Sequence, residues 1–557
     1  MTTRGKLLFT IILLAVVGYG VSRWKDKLAP ARAPGQSAKT EQTRGDQESD
    51  GADAPEAKLA ETQMEIPKLA APAAYVPKDN IIDIELSEYA GYAGLIVANG
   101  GLEPNDNSIF TKKHGFKLRI KLSEEESWSA LNSGRMAASA TTVDVLAIYG
   151  RQFQVAVPAL IGFSRGADGV VVRSDIKRIN DLKGKVVAAS QFTEADFFIR
   201  YLAQEAGLGV NMLSDLKQKP DPDKVNLVYA EDAFQACDTF VGDLQGRSGR
   251  LAGCVTWAPK TTEAAEASQG QAHILTTNKN LLIIADILIV NKGFAQAQPK
   301  MVAGLTAGLL EGNRMVRENA AAHLDLIGKA FKWDRQKTKG ELVKVHLANG
   351  PENLAFFTGA IDAAGSFGGI YQSAIYAYGT DLVKDPVDSE RFVDLTHLQE
   401  LETAGAFAGQ QVAIAPIRSA GGGPVETDPL LSKNIRFLFE PNSAALDINN
   451  EENLKNLAAI KKLLQVSPGS TILLRGHVDN SRVEEFRKQG GETFLRQMAL
   501  KSVEFSKQRA NEIRRLLIER EKIDAARLES LGRGWEEPLG TDMEQNRRVE
   551  AQWFTLE

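Results

Sequence analysis

The stretch "INDLKGKVVAASQFTEADFF", residues 179–198, contains the alternation that decides the fold. Its apolar run "VVAA" begins at Val186 and has the short length and β-branched start of a buried strand. The polar residues "SQFTE" follow and open a helix rich in apolar side chains. The sequence therefore predicts a strand that leads through a polar loop into a helix.

The same alternation extends from Asn80 to about Leu401. Short β-branched runs alternate with amphipathic helices, which is the pattern of α/β units. The runs are "IIDIEL", "KLRIKL", "GVVVRS", "KVVAAS", "VNLVYA", "LAGCVTW" and "DILIVN". In open α/β sheets ligands collect where strands end, because backbone N–H groups and helix N-termini converge there. We therefore expect an α/β fold with a ligand site at these strand ends.

The composition is that of an ordinary globular protein with several domains. The chain has 557 residues, of which 43% are hydrophobic and 25% are charged. A net charge of -5 without a basic segment argues against nucleic-acid binding. Six scattered histidines and two cysteines give no metal-ligand spacing, so we expect no metal and no cofactor.

The two cysteines allow two interpretations. Cys237 lies on a predicted helix, "DAFQACDTF", and Cys254 on a predicted strand, "LAGCVTW". They could form a disulfide in an oxidising compartment, or they could be two buried thiols.

The N-terminal segment, residues 1–27, has the pattern of a membrane anchor or a secretory signal. Arg4 and Lys6 precede an uncharged apolar stretch, and Trp24 lies at its far edge. The residues "YGVSRW" fit a signal cleavage site poorly, whereas the Trp and basic residues suit a membrane interface. We expect a single-pass inner-membrane helix with the bulk of the chain in the periplasm. Cleavage of a signal and release into the periplasm is the alternative.

Two segments have the composition of linkers. Residues 28–77 are rich in Ala, Pro, Gly, Ser and charge and poor in large apolar residues, which predicts disorder. Residues 403–428 include "SAGGGPVETDP" and predict a second linker before a C-terminal domain at 429–557.

Residues 78–402 resemble the periplasmic solute-binding proteins of nitrate, sulfonate and taurine ABC importers. The resemblance is carried by "SEYAGYAGLIVANGG", "WSALNSGRMAASATTVDVL", "FSRGADGVVVRSDIKRINDLKGKVVAAS" and "DAFQACD" with "GCVTWAPKTTEA". It implies a two-lobed, type II-like periplasmic-binding-protein fold that closes on a small solute. Lobe I would comprise about 80–167 and 286–400, and lobe II about 168–285.

The resemblance implies ligand loops at the strand ends of both lobes. The candidates are Ser87, Glu88, Tyr89, Tyr92, Thr141, Thr142 and Asp144 in lobe I, and Ser190, Gln191, Phe192, Thr193, Asp232 and Trp257 in lobe II. Each has a structural alternative. Thr142 and Thr193 could be helix caps, and Trp257 could be a core residue. The loops contain acidic residues and no arginine, which suits a polar or partly cationic ligand better than a bare oxyanion.

The sequence of the C-terminal domain predicts a small α/β sandwich. Strand patterns "IRFLFEPN" and "TILLRGHVD" alternate with the helices "NLKNLAAIKKLL" and "VEFSKQRANEIRRLLIE". Three motifs in order, "GHVD" at 476–479, "FSKQRA" at 505–510 and "NRRVE" at 546–550, resemble those of OmpA-like peptidoglycan-binding domains.

This second resemblance implies a site for the diaminopimelate stem peptide of peptidoglycan. Asp479 would bind its ammonium group, and Arg509 would bind its carboxylate with a planar fork. The spacing of thirty residues between them is about twice that of the family, so a segment is inserted there. If the segment points outward the pocket survives, and if it folds back binding is altered.

The parts together predict a non-enzymatic envelope protein. No nucleophile elbow, HExxH motif or phosphate-binding loop is present in the sequence. The expected partners are peptidoglycan, a small-molecule solute, the inner membrane and, through the first resemblance, an ABC permease. The alternative is a structural envelope tether whose solute domain is degenerate or recognises a protein. A flagellar-motor-like stator is disfavoured, because the apolar segment lacks an ionisable residue.

Overall fold

The computed structural model describes residues 59–123, 127–360, 365–414, 429–440 and 443–554. The predicted membrane segment, residues 1–27, and the first part of the predicted linker, residues 28–58, lie outside these ranges. Within these ranges, no helix combines the length and the apolar character that a membrane crossing requires.

The first lobe is built on a six-stranded sheet. Its strands are β1 (Ile81–Leu86), β2 (Lys117–Leu122), β3 (Ala138–Thr142), β4 (Val155–Ser164), β11 (Ala285–Asn291) and β12 (Val345–Leu347). They lie in the order β12-β4-β11-β3-β1-β2. β1 pairs in parallel with β2 and β3, and β11 is antiparallel to both β3 and β4. β11 therefore enters the sheet from the edge at which β3 ends.

Ten helices cover this sheet. They are α1 (Ala93–Asn99), α2 (Ile109–His114), α3 (Trp128–Asn132), α4 (Val143–Tyr149), α8 (Lys292–Ala297), α9 (Pro299–Phe331), α10 (Arg335–Leu342), α11 (Gly350–Thr358), α12 (Phe367–Leu382) and α13 (Thr396–Thr403) among the described residues. α1 and α9 pack at backbone distance, since a Cβ placed on Gly312 would lie 2.0 Å from the carbonyl oxygen of Gly94. Only glycine fits at that crossing.

The second lobe has a sheet of similar size. Its strands are β5 (Gly169–Arg173), β6 (Val186–Ser190), β7 (Gly209–Met212), β8 (Lys224–Ala230), β9 (Gly253–Thr256) and β10 (Ala272–Thr277), and its helices are α5 (Glu194–Glu205), α6 (Ala233–Gln245) and α7 (Lys260–Ala267). The order is β10-β5-β9-β6-β8-β7. β5 is antiparallel to both of its neighbours, β10 and β9, whereas β6, β7, β8 and β9 run parallel to one another. The α/β, two-lobed architecture predicted from the sequence is confirmed.

The chain passes between the lobes twice. Residues 165–168 lead from β4 to β5, and residues 278–284 lead from β10 to β11. The side chain of Asn278 donates to the Ser164 carbonyl (3.1 Å) and to Asp168 (3.2 Å), and it accepts from the Gly166 N–H (2.8 Å). One amide side chain therefore fixes the two crossings to each other.

Helix α12 of lobe I makes a further contact with lobe II. The Tyr378 hydroxyl donates to the Thr193 carbonyl at 3.3 Å. The guanidinium of Arg200 lies 5.0 Å from the centre of the Tyr378 ring, within the range of a cation–π contact. The two lobes are thus also in contact through α12.

Residues 59–77, which we name the strap, differ from the disordered linker predicted for 28–77. The Gln63 N–H and carbonyl pair with the Gln191 amide at 2.8 Å each, on lobe II. The Leu69 N–H donates to Gln152 on lobe I at 2.8 Å, and Tyr75 is buried there. Although its composition is that of a linker, the strap is held by backbone hydrogen bonds to both lobes, which composition does not reveal.

The C-terminal domain has a four-stranded sheet in the order β13-β16-β14-β15. Its elements are β13 (Leu431–Ile435), α14 (Glu451–Val466), β14 (Thr471–His477), α15 (Val483–Glu519), β15 (Leu528–Gly534), α16 (Met543–Asn546) and β16 (Val549–Phe554). α15 lies directly on β14 and β15, because Cβ atoms on Gly476 and Gly532 would each meet a helix carbonyl at 2.1 Å. The glycines of "RGHVD" and "LGRG" are therefore packing residues.

The C-terminal domain contacts lobe II and the second crossing. The Asn180 side chain accepts from the Ser432 N–H (2.8 Å) and donates to the Ser432 carbonyl (2.9 Å). The Leu282 N–H donates to the Val466 carbonyl at 2.7 Å.

Of the predicted linker 403–428, residues 403–414 pack on lobe I, where the Ala413 N–H donates to Glu352 at 2.9 Å. Residues 415–428 lie outside the described ranges.

Cys237 on α6 and Cys254 on β9 form a disulfide, with their Cα atoms 5.1 Å apart. Both side chains are fully buried between the helix and the sheet of lobe II. The cross-link closes a loop between positions 17 residues apart, and a loop of this length lowers the entropy of the unfolded chain by an amount worth about 3 kcal/mol.

We predict that dithiothreitol lowers the melting temperature of lobe II, as followed by circular dichroism. The double variant Cys237→Ala, Cys254→Ala should melt at the reduced protein's temperature and should not respond to dithiothreitol. Equal melting of the oxidised and reduced protein would contradict a stabilising disulfide.

Candidate functional site

The cleft between the lobes is the first candidate site. It receives the carboxyl ends of β1, β3 and β4 from lobe I and of β6 and β9 from lobe II, as the strand-end rule predicts. Its inner part is narrow, with a cavity volume of about 20 Å³. The lining side chains are Ser87, Tyr89, Tyr92, Thr142, Ser164, Asp168, Glu194, Trp257, Ile284 and Asp286. An adjoining outer part is lined by Trp128, Tyr149, Ser190, Gln191, Phe192, Thr193, Glu231 and Ala233 together with Ser87, Glu194 and Trp257.

Nine of the thirteen candidate residues line this cleft. They are Ser87, Tyr89, Tyr92, Thr142, Ser190, Gln191, Phe192, Thr193 and Trp257. Two of them face both parts: Ser87 at the end of β1 and Trp257 at the end of β9. These two residues, one from each lobe, mark the centre of the cleft.

The other four candidates do not line the cleft. Glu88 accepts a hydrogen bond from the Trp333 indole at 2.6 Å, and Asp232 caps α6 by accepting from the Gln235 N–H at 2.7 Å. Thr141 and Asp144 are buried at the end of β3 and the start of α4. Their polar atoms lie behind the lining residues.

The loop after β6 has a conformation that the sequence does not reveal. Phe192 has φ 62°, in the left-handed region, and its N–H donates to Asp196 at 3.2 Å. The Thr193 hydroxyl donates to the Ser190 carbonyl at 2.9 Å and does not cap α5. Asp196, in the first turn of α5, holds the Phe192 backbone, and the Phe192 ring lies 6.5 Å from that of Tyr149 and 6.3 Å from that of Tyr378. The outer part of the cleft therefore has an aromatic wall.

Three acidic residues of the inner cleft were not among the candidates. Asp168 and Asp286 are buried next to the amino ends of β5 and β11, and Glu194 is the first residue of α5. Because β5 and β11 run antiparallel to their neighbours, their amino ends lie at the edge where the parallel strands end. The sequence prediction considered only the carboxyl ends of strands. It therefore did not include these two aspartates, which lie at amino ends.

The cleft concentrates negative charge that no lysine or arginine offsets strongly. Burial raises the pKa of Asp144 to about 7 and of Asp168 to about 6. Burial, and then repulsion from neighbouring carboxylates, raises the pKa of Glu194 and of Asp286 well above the usual range. The charged groups with the strongest influence on these two are the other carboxylates of the cleft.

Asp196 differs from these acids, because it has a cationic partner. The Arg200 guanidinium donates to its carboxylate at 2.7 Å and to the Tyr229 hydroxyl at 2.8 Å. Both side chains of this pair are buried. Arg200 is thus committed to Asp196 and Tyr229.

Several buried polar atoms around the cleft lack a hydrogen bond of normal geometry within the described part of the chain. They include the Trp257 indole nitrogen, one oxygen of Asp286 and both oxygens of Asp144. The nearby Thr142 hydroxyl only partly opposes the rise in the pKa of Asp144. A buried polar group without a partner costs about 1–3 kcal/mol, so these atoms favour a bound molecule.

The second candidate site is a pocket of the C-terminal domain. Its lining side chains are Arg436, Phe437, Leu438, Phe439, His477, Arg509, Glu544, Arg547, Arg548 and Val549. The Arg509 guanidinium stacks between the rings of Phe439 (4.6 Å) and Phe505 (4.5 Å) and donates to the Ser443 carbonyl at 3.3 Å. This stacking fixes the plane of the guanidinium.

Arg547, which the sequence interpretation did not include in the site, pairs with Asp479 and lines the same pocket as Arg509. The Arg547 Nε lies 3.3 Å from Asp479, whose other oxygen accepts from Ser481. Burial, and then the charge of Arg547, lowers the pKa of Arg509, while Asp479 opposes the shift. Arg509 and Arg547 therefore line the pocket, whereas Asp479 is paired with Arg547 and is not among the lining residues.

The segment inserted between Asp479 and Arg509 extends α15 at its amino end. Gly490 and Gly491 break the helical dihedrals, and the residues from Val483 to Lys501 are half-buried or exposed. The Phe486 ring stacks on Trp535 at 5.9 Å. None of these residues lines the pocket of Arg509. The insertion therefore leaves that pocket open.

His477, Glu537 and Glu550 lie close enough together to resemble metal ligands. Arg475, however, pairs with Glu550 at 2.5 Å and with Glu537 at 2.9 Å. Burial opposes the shift, but the His477 ring and the Arg475 charge lower the pKa of Glu550 to about 2. The cluster is therefore an ion-pair network beneath the pocket.

The acids of the cleft predict an effect of pH on stability. An unfolded aspartate has a pKa near 4, so between about pH 4 and pH 7 the folded protein binds more protons at Asp144 than the unfolded chain does. The free energy of unfolding should therefore fall as the pH rises through this window, by up to about 4 kcal/mol for this group. Asp144→Asn should raise the melting temperature at pH 8 more than at pH 5. The surface variant Asp381→Asn is the control, and an equal effect of Asp144→Asn at both pH values would contradict the prediction.

Comparisons with known proteins give one family assignment. Residues 438–552 match the sequence profile of the OmpA family. The OmpA-like domain predicted from the three motifs is therefore confirmed. Among curated proteins, no sequence matches this chain.

Two solved structures of similar fold each cover a little over half of this chain, at low sequence identity. The periplasmic aliphatic sulphonate binding protein from Escherichia coli is 15% identical, with a TM-score of 0.42 over 57% of this chain and 92% of that one. The periplasmic nitrate-binding protein from Synechocystis PCC 6803 is 12% identical, with a TM-score of 0.42 over 60% and 90%. Likenesses this weak say nothing about the solute. The chain combines two α/β lobes with an OmpA-family domain.

Proposed function

We propose that the two lobes bind a small molecule in the cleft between them. The observation that carries this proposal is the set of buried polar atoms around the cleft that have no partner of normal geometry among the described residues. Sites for small molecules are typically concave, largely apolar and supplied with a few converging polar groups. The cleft has aromatic side chains at Tyr89, Tyr92 and Trp257 and polar groups from both lobes. Binding there would hold the lobes together.

We further propose that the C-terminal domain binds peptidoglycan without a covalent bond. Asp479 would accept from the ammonium group of the diaminopimelate side chain, and Arg509 would bind its carboxylate. The stacking of Arg509 between Phe439 and Phe505 supports this role, because a fixed guanidinium loses little entropy when it forms a bidentate pair. Arg547 would be displaced from Asp479, or would add a second cation beside the carboxylate.

For location, we propose a periplasmic protein held at the inner membrane by residues 1–27. The apolar stretch after Lys6 and the aromatic Trp24 support this proposal. An ABC permease is the partner that a solute-binding role would require for transport. A binding role without catalysis accounts for the cleft as described.

The alternative is an envelope tether whose lobes recognise a protein or nothing. The observation that favours it is the pairing of Gln191, a candidate ligand residue, with Gln63 of the strap. The remaining lining residues are not covered by these strap contacts, so we prefer the solute-binding proposal.

A screen of small metabolites against the full-length chain tests the cleft. A ligand at about 100 times its Kd should stabilise the folded chain by about 2.7 kcal/mol. Ser87→Phe places a ring where both parts of the cleft meet and should abolish the shift given by that ligand. Ser214→Phe, at an exposed position of lobe II, should retain it. If no metabolite shifts the melting temperature, the tether is favoured.

Co-sedimentation with purified sacculi tests the wall site. Charge-assisted hydrogen bonds contribute about 1.5–3 kcal/mol each, so Asp479→Ala and Arg509→Ala should each weaken binding about tenfold or more. Arg515→Ala is the matched control on the same helix, because Arg515 is engaged with Glu512 and Glu519 on the outer surface. Undiminished binding of both site variants would overturn the assignment.

A further inference from the structure

We propose that the cleft selects an organic cation that also carries a hydrogen-bond acceptor. The inference rests on the proposed solute binding and names the chemical class of the solute. Two independent observations support it. One is the charge of the inner cleft, and the other is the indole N–H of Trp257, which lacks an acceptor of normal geometry among the described residues.

The first observation is the balance of charge. Asp168, Glu194 and Asp286 line the inner cleft, and Asp144 lies behind them. No lysine or arginine is among the residues that line either part of the cleft. One oxygen of Asp286 accepts from the Tyr92 hydroxyl at 3.1 Å; the Tyr89 hydroxyl also lowers the pKa of this carboxyl, but the other oxygen is buried without a hydrogen bond of normal geometry in the described chain. A cation in the cleft would supply that partner.

The energetic consequence follows from the same groups. Burial raises the pKa of all four acids, and repulsion from neighbouring carboxylates adds to the rise at Asp144, Glu194 and Asp286, so these groups hold protons to a higher pH than exposed acids do. A cationic solute would replace those protons and stabilise the ionised carboxylates. An anion such as a sulfonate or nitrate would add to the repulsion.

The second observation is the indole of Trp257. Its nitrogen is buried, lies at the cleft and lacks a hydrogen bond of normal geometry to the described residues. An indole N–H only donates, so its partner must be an acceptor. The carboxylates can receive the cation, but the indole requires an oxygen or nitrogen lone pair on the solute.

The aromatic lining favours an organic cation over a metal ion. The rings of Tyr89 and Tyr92 lie edge to face with centroids 5.2 Å apart, and Trp257 lies across the cleft in the other lobe. Aromatic faces bind ammonium groups and offer no ligand to a hard metal ion. Within the described ranges, the one group of three ligand atoms close enough for a metal is that of His477 in the other domain.

Two probes that differ in one acceptor test the inference. Choline carries a quaternary ammonium group and a hydroxyl, whereas tetramethylammonium carries the charge alone. Isothermal titration calorimetry of the full-length chain should detect choline, and Asp286→Asn should weaken it about tenfold or more. Trp257→Phe keeps an aromatic ring and removes the donor. It should therefore lower the ratio of choline affinity to tetramethylammonium affinity, a change that a general loss of structure would not produce.

The controls separate this inference from the proposed function. Asp381→Asn, at the surface of lobe I, should bind choline as the wild-type chain does. Binding of sodium methanesulfonate or sodium nitrate without binding of either cation would overturn the inference and leave solute binding in place. Binding of calcium or manganese chloride alone would overturn the organic class. If neither these probes nor any metabolite of the wider screen binds, both proposals fall.

Discussion

Asn278 fixes the geometry on which the cleft depends. Its side chain joins the two crossings by accepting from Gly166 and by donating to Ser164 and Asp168. All three hydrogen-bonding groups of the amide are thereby used within a buried site, where an unmet amide would be costly. The same contacts place Asp168 at the end of one crossing and leave Asp286 just beyond the end of the other. The acidic floor of the cleft is therefore a consequence of how the lobes are joined.

The burial of these acids suits a binding site, but it lowers the stability of the folded protein. A carboxylate that is desolvated and surrounded by others costs free energy unless it is protonated or paired. Asp196 is paired with the cationic Arg200, whereas no ion pair between described residues involves the four acids at and behind the inner cleft. Residues kept in an unfavourable state within an otherwise well-packed core are typical of binding sites. The contrast between Asp196 and its neighbours separates the structural acid from those available to a ligand.

The sequence predicted the architecture better than the charges of the site. The alternation of β-branched runs and helices predicted both lobes, and three short motifs predicted the C-terminal domain. Strand-end reasoning found Ser87, Tyr89, Thr142 and Trp257, because these follow parallel strands. It missed Asp168 and Asp286, since the direction of a strand within its sheet is a property of tertiary pairing. It also included Asp232, whose capping role fits the Asp-x-x-Gln spacing equally well.

The strap and the C-terminal domain both restrict how the lobes can move. Gln63 is bound to lobe II and Leu69 to lobe I, and six residue steps of extended chain reach at most roughly 20 Å. The second crossing is itself bonded to the C-terminal domain through Leu282 and Val466. Any rotation of one lobe against the other must therefore stretch the strap, break its hydrogen bonds or act on the Leu282 contact. Asn180 also ties Ser432 to lobe II, so the domain that carries Asp479 and Arg509 is bonded both to lobe II and to the second crossing. A rotation of the lobes would therefore act on the hydrogen bonds that hold the C-terminal domain as well as on those of the strap.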